Sequence, residues 1–343
     1  MKIFSRQGVA AAIAVATGAA LLSACGGGSN ASDGAQLSLV AYSVPKAADG
    51  AVEKAFQTTA DGKGVTFTES YGPSGDQSRA VVGGLKADLT HLSLTPDTTR
   101  LVDEGLVAKD WDQNDHQGIL STSVVSIIVR KGNPKNIESF ADLAKPGIGI
   151  VTPNPGSSGS ARWNILAAYQ EQIANGASEA EGAAYLEKVF ANVKALPGSG
   201  RDATTAFQGG TGDVLLSYEN EAIFARQSGE DVDYVVPTHN LLIENPGAVT
   251  TKAAPAAKKF LDFASSAKGQ GIYAQYGFRP VASVQGVDVG EVKGANDPAN
   301  PFPKIDDLFT IDKTFGGWEA VNRKFFDEKD GLITKIIAES GKS

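Results

Sequence analysis

The first two thirds of the chain alternate between short apolar runs and stretches that carry apolar residues at helical spacing. Each run is long enough for one strand, and a turn rich in glycine, proline or serine separates it from the helical stretch that follows. The predicted strands cover residues 37–42, 65–71, 89–94, 124–129, 148–151, 214–217 and 232–236. Such alternation is typical of α/β proteins with mainly parallel sheets and flanking helices.

The last third of the chain is richer in helical patterns. Apolar residues recur at helical spacing over residues 254–265 and 269–276, whereas residues 285–304 contain three prolines and no regular pattern. Two successive α/β units and a return segment predict two lobes joined by crossover strands. In such sheets, ligands bind at the carboxyl ends of the strands, where the strand-to-helix turns meet.

The N-terminal segment, residues 1–24, is predicted to be an export signal. Two basic residues precede an apolar stretch, residues 9–22, that is too short for a comfortable membrane span. The order Leu22-Ser23-Ala24-Cys25 resembles a bacterial lipobox, which implies cleavage before Cys25 and a lipid on its sulfur. Residues 25–35 would then form a lipidated, glycine-rich tether. The alternative is a plain secretory signal with an incidental cysteine.

Charge and residue counts exclude several classes of function. The chain of 343 residues has a formal charge of −8, and loss of Lys2 and Arg6 with the signal changes it to −10, which disfavours nucleic acid as a partner. One cysteine and three histidines form no metal-ligand cluster, and no serine lies in a G-x-S-x-G elbow. No metal, cofactor or enzymatic activity is therefore expected.

A candidate ligand site lies at residues 152–163, TPNPGSSGSARW. This stretch follows a predicted strand, and its prolines prevent a helix from beginning before about Ser160. The first N–H groups of a helix have no intrahelical acceptor, and the helix dipole adds positive charge there. A strand, a turn of small residues and a helix start are the elements of an anion site. The alternative is an ordinary serine-capped helix after a loop.

Five places share this order of an apolar strand, a small or polar turn and a helix. Each of them can offer an uncharged hydrogen-bond donor, either a backbone N–H or a hydroxyl group. The five places are Ser43, Ser74, the group Ser158, Gly159 and Ser160, Gly200, and Tyr218. Convergence of several such donors is a stronger signal for anion binding than any one of them.

Several segments resemble the bacterial periplasmic sulfate-binding proteins of ABC importers. The segments are YGPSGDQSR, VRKGNP, VTPNPGSSGSARWNILAAY, GDVLLSYENEA and FTIDKTFGGW, and the resemblance runs from about residue 37 to residue 326. It implies a two-lobed periplasmic-binding-protein fold of type II character, with a ligand cleft between the lobes. Lobe 1 would comprise residues 36–121 and 240–303, and lobe 2 residues 122–239 and 304–343. Hinges are expected near Thr122 and in residues 237–241.

In that family, sulfate is held between the lobes by backbone N–H groups and a few neutral side chains. The resemblance implies a backbone donor at Ser43, a hydroxyl and backbone donor at Ser74, and donors at Ser158, Gly159, Ser160 and Gly200. Ser43 stands where the family commonly has aspartate, and Ser160 replaces a glycine. Tyr218 stands where the family often has tryptophan, and a phenol can accept as well as donate a hydrogen bond.

Neutral donors suit sulfate because it is fully deprotonated at neutral pH and only accepts hydrogen bonds. Phosphate keeps a proton that requires an acceptor, and an unpaired buried polar group costs about 1–3 kcal/mol. Asp76, Glu219 and Glu221 are nearby acids, interpreted as favourable charges in the first turns of helices. If one of them pointed into the cleft, phosphate would become plausible.

The resemblance predicts an exported lipoprotein that binds sulfate or thiosulfate, acts as a monomer and delivers the anion to the permease subunits of an ABC importer. Its location would be the outer face of the cytoplasmic membrane, through the lipid on Cys25. Two alternatives remain open. One is a binding protein for phosphate or molybdate, and the other is an exported hydrolase on a similar fold.

Overall fold

Strands and helices alternate through residues 34–342, the part of the chain that the computed structural model describes. The strands are β1 (Gln36–Tyr42), β2 (Thr66–Gly72), β3 (Leu89–His91), β4 (Ile119–Arg130), β5 (Ile150–Val151), β6 (Val193–Ala195), β7 (Val214–Tyr218), β8 (Val232–Val235), β9 (His239–Val249) and β10 (Asp307–Phe309). The export signal at residues 1–24, the lipid site at Cys25 and most of the predicted tether lie outside the described residues.

Helices flank these strands along the whole described chain. They are α1 (Lys46–Gln57), α2 (Ser74–Val82), α3 (Thr95–Asp103), α4 (Gly159–Ala174), α5 (Glu179–Asn192), α6 (Gly200–Gln208), α7 (Glu219–Gln227), α8 (Pro255–Ser265), α9 (Ala267–Gln275), α10 (Ile311–Phe315), α11 (Trp318–Val321) and α12 (Leu332–Ser340). A 3₁₀ helix spans Phe140–Ala144, and a π-helix spans Asn322–Phe326. None of the helices within residues 34–342 combines the length and the apolar character needed to cross a membrane.

The strands form two parallel groups that are connected by two long antiparallel strands. The sheet order is β2-β1-β3-β9-β4-β7-β5-β6, with β10 paired to β9 and β8 paired to β4. β1, β2 and β3 run parallel to one another, as do β5, β6 and β7. The prediction of an α/β fold with mainly parallel strands and flanking helices is confirmed, and β4 and β9 supply the antiparallel pairs.

β4 and β9 are the crossover strands. The first half of β4 pairs with β9, and its second half, from Val125, pairs with β7. The apolar pattern predicts only residues 124–129 as a strand, because Ser121, Thr122 and Ser123 precede that run as buried polar residues. The sequence pattern does not indicate β9 at all, since Asn245, Pro246 and Gly247 are typical of turns.

The segment predicted to be irregular, residues 285–304, contains no helix or strand. It is nevertheless anchored, because Val292 and Ala295 are buried in one apolar cluster with Ile223 of α7 and Tyr234 of β8. A larger cluster joins both parallel groups of strands through β4 and β9. The core therefore fixes the strand ends from which the candidate site residues project.

Candidate functional site

The structure brings the seven predicted site residues into one chain of contacts. They lie at the ends of strands or the starts of helices in both parallel groups of strands. Ser43 and Ser74 belong to the side formed by β1, β2 and β3. Ser158, Gly159, Ser160, Gly200 and Tyr218 belong to the side formed by β5, β6 and β7. The two sides meet directly, because Gly75 N donates to Ser157 O at 3.2 Å.

The start of α4 is uncapped by side chains and buried. Ser158 is the N-cap residue, yet its hydroxyl makes no capping hydrogen bond, and the first turn contains no acidic residue. Among residues 34–342, no group accepts a hydrogen bond from the N–H of Gly159 or of Ser160. Both residues are buried, so these donors are held away from bulk water in an orientation suited to an anion.

Gly159 is where α4 approaches the opposite side most closely. A Cβ atom on Gly159 would lie 2.5 Å from Ser93 Oγ and 2.7 Å from Leu94 Cγ. Real Cβ contacts are not this short, so only glycine allows this approach. The helix start is thereby held against the end of β3.

The start of α6 lies beside that of α4. The Ser199 hydroxyl caps α6 by accepting from Asp202 N at 3.1 Å. A Cβ atom on Gly200 would lie 3.1 Å from Val44 Cγ2 and 3.3 Å from Ser160 Oγ, so Gly200 touches both sides of the site. Ser43 is close by, because its Oγ accepts from Arg201 N at 3.5 Å. An open groove of about 670 Å³ between α1 and α7 reaches Ser43 and Arg201 from the surface.

The helix α2 begins at Ser74, two residues earlier than the sequence pattern predicts. The sequence predicts a helix over 76–82, whereas α2 begins at Ser74 itself, so its N–H is among the unpaired donors of a helix start. Its hydroxyl is engaged elsewhere, donating to Asp97 Oδ2 at 2.7 Å and accepting from Ser93 N at 2.8 Å. The Ser74 hydroxyl hydrogen therefore serves the fold, and the N–H is the donor left for a ligand.

Sequence reasoning missed Ser93, which is at the centre of the contacts. Its Oγ lies 2.8 Å from the Tyr218 hydroxyl, and its carbonyl oxygen accepts from Trp163 Nε1 and from Asn245 Nδ2, each at 3.0 Å. The sequence pattern hid Ser93, because the predicted strand at residues 89–94 includes it, whereas β3 ends at His91 and Ser93 lies in the turn before α3. Burial raises the pKa of the Tyr218 phenol, while hydrogen bonding from Ser93 opposes that rise.

A network of buried polar side chains holds Asn245 in place. Asn245 Oδ1 accepts from the Tyr42 hydroxyl at 2.8 Å and from Ser121 Oγ at 3.4 Å. Ser121 Oγ also lies 2.9 Å from His91 Nε2, and His91 Nδ1 lies 3.0 Å from Asp49 Oδ1. Both ring nitrogens of His91 therefore contact other buried side chains, which gives this histidine a structural role.

The acidic residues near the site are occupied by other partners. Glu219 forms a bidentate ion pair with Arg279, accepting from its Nε at 2.6 Å and from its Nη2 at 3.0 Å. Glu221 accepts from Arg201 at 2.7 Å and from Thr204 at 2.8 Å. Burial raises the pKa of both carboxyl groups, and the arginine in each pair opposes the rise. Asp76 is exposed and pairs with the arginine three residues later. Both carboxylate oxygens of Glu219 and of Glu221 are therefore engaged within the fold.

Comparison with known proteins places the chain in a family. Residues 37–279 match the model of the family described as bacterial extracellular solute-binding protein. A sulfate-binding protein of Synechococcus elongatus is 38% identical over 341 residues, covering 95% of this chain and 94% of that protein. A thiosulfate-binding protein of Pseudomonas aeruginosa is 35% identical over 288 residues, covering 81% of this chain and 83% of that protein.

A solved structure agrees with these sequence relatives. The sulfate-binding protein SubI from Mycobacterium tuberculosis H37Rv superposes with a TM-score of 0.79 at 44% identity, covering 85% of this chain and 100% of that one. The periplasmic-binding-protein fold predicted from the sequence is therefore confirmed. The chain belongs to the bacterial extracellular solute-binding proteins, in the family that includes the sulfate-binding proteins.

Proposed function

We propose that this protein captures sulfate, or thiosulfate, in the cleft between its lobes and delivers it to an ABC importer without chemical change. The anion would be held by the N–H groups of Ser43, Ser74, Gly159, Ser160 and Gly200. Hydroxyl groups of Ser158 and Tyr218 would complete the set of neutral donors. The relatives named as sulfate-binding and thiosulfate-binding proteins support this choice of ligands.

One observation carries the proposal: the converging groups are donors, and the nearby acceptors are already used. The start of α4 offers unpaired N–H groups and contains no acid, while Glu219 and Glu221 are each paired with an arginine. A fully deprotonated tetrahedral anion satisfies such donors without leaving a polar hydrogen unpaired. Hydrogen phosphate, which carries a proton at neutral pH, lacks a carboxylate acceptor there and is less favoured for that reason. Molybdate carries no proton at neutral pH, and the binding test below separates it from sulfate.

The hydrolase alternative receives no support from the geometry. A serine nucleophile needs a base within hydrogen-bond reach. No hydrogen bond joins Ser158 or Ser160 to a histidine within residues 34–342, and His91 contacts Asp49 and Ser121 instead. No second function is proposed from these residues.

Ligand binding is tested by calorimetry and thermal unfolding of the purified protein with sulfate, thiosulfate, molybdate and phosphate. We expect a melting temperature that rises with sulfate concentration, because a ligand that binds only the folded state stabilises it by mass action. If millimolar sulfate left the melting temperature unchanged and molybdate raised it, molybdate would replace sulfate as the proposed ligand.

We also propose the lobe boundaries and the hinge. Lobe 1 would be residues 36–121 and 240–303, lobe 2 residues 122–239 and 304–343, and closure would occur about β4 near Thr122 and the start of β9. Contacts such as Gly75 with Ser157 would then form on closure. Small-angle scattering should show a smaller radius of gyration with sulfate than without it, and equal radii would contradict hinge closure.

Membrane attachment through Cys25 completes the proposal. The exported protein would act as a monomer on the outer face of the cytoplasmic membrane, where the permease subunits are accessible. In cells, Cys25→Ala should release the protein from the membrane fraction and prevent incorporation of labelled palmitate. A Cys25→Ala protein that remains in washed membranes would contradict a lipid anchor.

A further inference from the structure

An open groove of about 670 Å³ leads from the surface to the proposed anion site. It is lined by α1, β2, α6 and α7, and it reaches Ser43, one of the proposed donors, and Arg201, the residue after Gly200. Under the proposed lobe boundaries, Arg201 and Phe224 belong to lobe 2, and the rest of the lining belongs to lobe 1. The groove therefore lies at the mouth of the proposed cleft. We name it the α1–α7 groove.

Two lysines of α1 line this groove without an acidic partner. Lys46 and Lys54 are exposed, and neither forms an ion pair with another residue of the described range 34–342. The Lys46 amine lies 5.6 Å from the centre of the Tyr71 ring, a cation–π contact that holds the charge at the wall of the groove. Arg201 is different, because its guanidinium donates to Glu221 at 2.7 Å. The groove thus offers two unpaired positive charges on the way to the proposed anion site.

The more buried acid of the lining carries no charge at neutral pH. Glu53 is 6% exposed, and its Oε1 has no hydrogen-bond partner among the described residues. An ionised carboxylate is costly in such a place. Burial raises the pKa of the Glu53 carboxyl to about 9, the neighbouring Glu69 and Asp49 add to the rise, and Lys54 opposes it. The two unpaired lysines are therefore opposed by one exposed acid of the lining, Glu69.

Electrostatics gives this arrangement a function in capture. The chain has a formal charge of −8, so a dianion is repelled on average as it approaches. A cleft mouth that carries unpaired cations raises the local concentration of an anion and its association rate. The attraction acts over about 10 Å at an ionic strength of about 0.1 M, so it does not require contact with the bound anion.

We propose that the anion enters the cleft through the α1–α7 groove, where Lys46 and Lys54 attract it before the lobes close. This inference rests on the proposed function and adds two residues that set the rate of capture. The bound anion remains held by the neutral donors, and neither lysine belongs to that set. Removal of the lysines should therefore slow association and leave dissociation nearly unchanged.

The test measures sulfate association by stopped-flow tryptophan fluorescence and sulfate affinity by calorimetry. Trp163 Nε1 donates to Ser93 O at 3.0 Å across the proposed lobe boundary, so lobe closure changes the surroundings of this indole. In Lys46→Gln/Lys54→Gln, the association rate constant should fall about three- to tenfold at an ionic strength of about 0.01 M. It should fall by less than about twofold at about 1 M, where the Debye length is about 3 Å. The dissociation constant should rise by the same factors, which calorimetry checks independently.

Lys109→Gln/Lys252→Gln is the matched control. Both lysines are exposed, form no ion pair with another described residue and lie outside the groove lining, so this variant loses the same net charge elsewhere. Its association rate constant should stay within about twofold of the wild-type value at low ionic strength. Equal losses in the two double variants would show an effect of net charge alone and would overturn the inference, as would a wild-type rate in Lys46→Gln/Lys54→Gln.

A pH profile tests the neutral Glu53 separately. The titratable groups around this carboxyl are Asp49, Lys54, Glu69, Tyr71, Arg201 and Tyr276. As the pH rises through about 9, Glu53 gains a negative charge, so sulfate association should slow more in the wild type than in Glu53→Gln, which keeps all the other titratable groups. At neutral pH the two proteins should associate with sulfate at equal rates. Parallel pH profiles would contradict entry of the anion past Glu53.

The outcome for the groove does not depend on sulfate being the ligand. If sulfate fails to bind and molybdate binds, the proposed function is refuted, and the same comparison of lysine variants is made with molybdate. If sulfate binds and neither pair of lysines alters its association rate, the inference alone is refuted.

Discussion

The helices α4 and α5 are consecutive, and each begins after a serine, yet the two starts differ in side-chain capping, in first-turn charge and in burial. Ser178 caps α5 by accepting from Glu181 N, and Glu181 accepts in return from Ser178 N at 2.8 Å. This capping box is exposed to solvent. Ser158 makes no such bond at α4, its helix has no acid in the first turn, and its side chain is only 4% exposed.

A serine before a helix serves the fold at α5 and leaves donors free for a ligand at α4. At α5 the chain satisfies its own N–H groups, and the start of the helix is complete without a ligand. At α4 the same requirement is left unmet although the site is buried, where unmet donors are costly. A helix start that is both buried and uncapped is therefore the better indicator of a ligand site than the serine that precedes it.

The largest loss of sulfate affinity is expected when an acidic residue is placed at the start of α4. In Ser158→Asp, the carboxylate would accept from the N–H groups that the anion needs and would repel the anion. Two like charges about 4 Å apart repel by about 4 kcal/mol at an effective dielectric constant of 20, so sulfate affinity should fall by about 1,000-fold. Calorimetry measures the loss, and the melting temperature without ligand should not decrease.

Ser158→Asn is the matched control for that change. Its side-chain oxygen caps a helix as well as aspartate does, but it carries no charge. We expect a smaller loss of sulfate affinity, about tenfold, from competition for one N–H group alone. Similar affinities for Ser158→Asp and the wild type would show that the anion does not lie at the start of α4.

The approach of α4 to β3 gives the next largest effect. Gly159→Ala adds a Cβ that would lie 2.5 Å from Ser93 Oγ, so the helix start must move away from the donors on the opposite side. Loss of two hydrogen bonds to a charged ligand should weaken sulfate binding by about 100-fold. Gly50→Ala in α1 is the control, because no atom lies within 4 Å of its added Cβ and affinity should remain as in the wild type. A Gly159→Ala protein with native affinity would contradict the close approach.

A milder change tests the α6 half of the site. In Gly200→Ala the added Cβ meets Val44 and Ser160 at 3.1–3.4 Å, distances that neighbours can accommodate by moving a few tenths of an ångström. Sulfate affinity should fall by about tenfold, from the cost of slight overpacking. Gly198→Ala, whose Cβ would have one contact at 4.0 Å, should bind as the wild type does. Equal affinities for the two variants would place the anion away from Gly200.

Much of this arrangement could be predicted from the sequence because it is local. Strand, small-residue turn and helix succeed one another within a dozen residues at α4, so the pattern indicates where unpaired N–H groups must occur. The predicted strands 37–42 and 65–71 agree with β1 and β2 to within a residue at each end. Convergence of the five places also follows from the fold, since parallel strands bring their carboxyl ends together.

The rest could not be predicted, because it depends on pairs that are distant along the chain. Asn245 supports Ser93 from 152 residues away, inside a strand whose Asn-Pro-Gly sequence is typical of a turn. Glu221 is unavailable as an acceptor because Arg201, twenty residues earlier and in another helix, donates a hydrogen bond to it. The engagement of the Ser74 hydroxyl by Asp97 is equally non-local. Each of these contacts requires tertiary packing to be known first.

The smallest effect on sulfate affinity is expected at the start of α5, which is capped by its own side chains. Ser178→Ala removes the hydroxyl that caps the helix and should cost about 1 kcal/mol of unfolding free energy, which corresponds to a decrease of about 2 °C in melting temperature for a chain of this size. Sulfate affinity should not change, because the capping box is exposed and none of its atoms contacts the seven site residues. Parallel calorimetry and thermal unfolding separate the two quantities. A loss of sulfate affinity in Ser178→Ala would show that the two helix starts are coupled, and the contrast between a capped structural start and an open binding start would then fail.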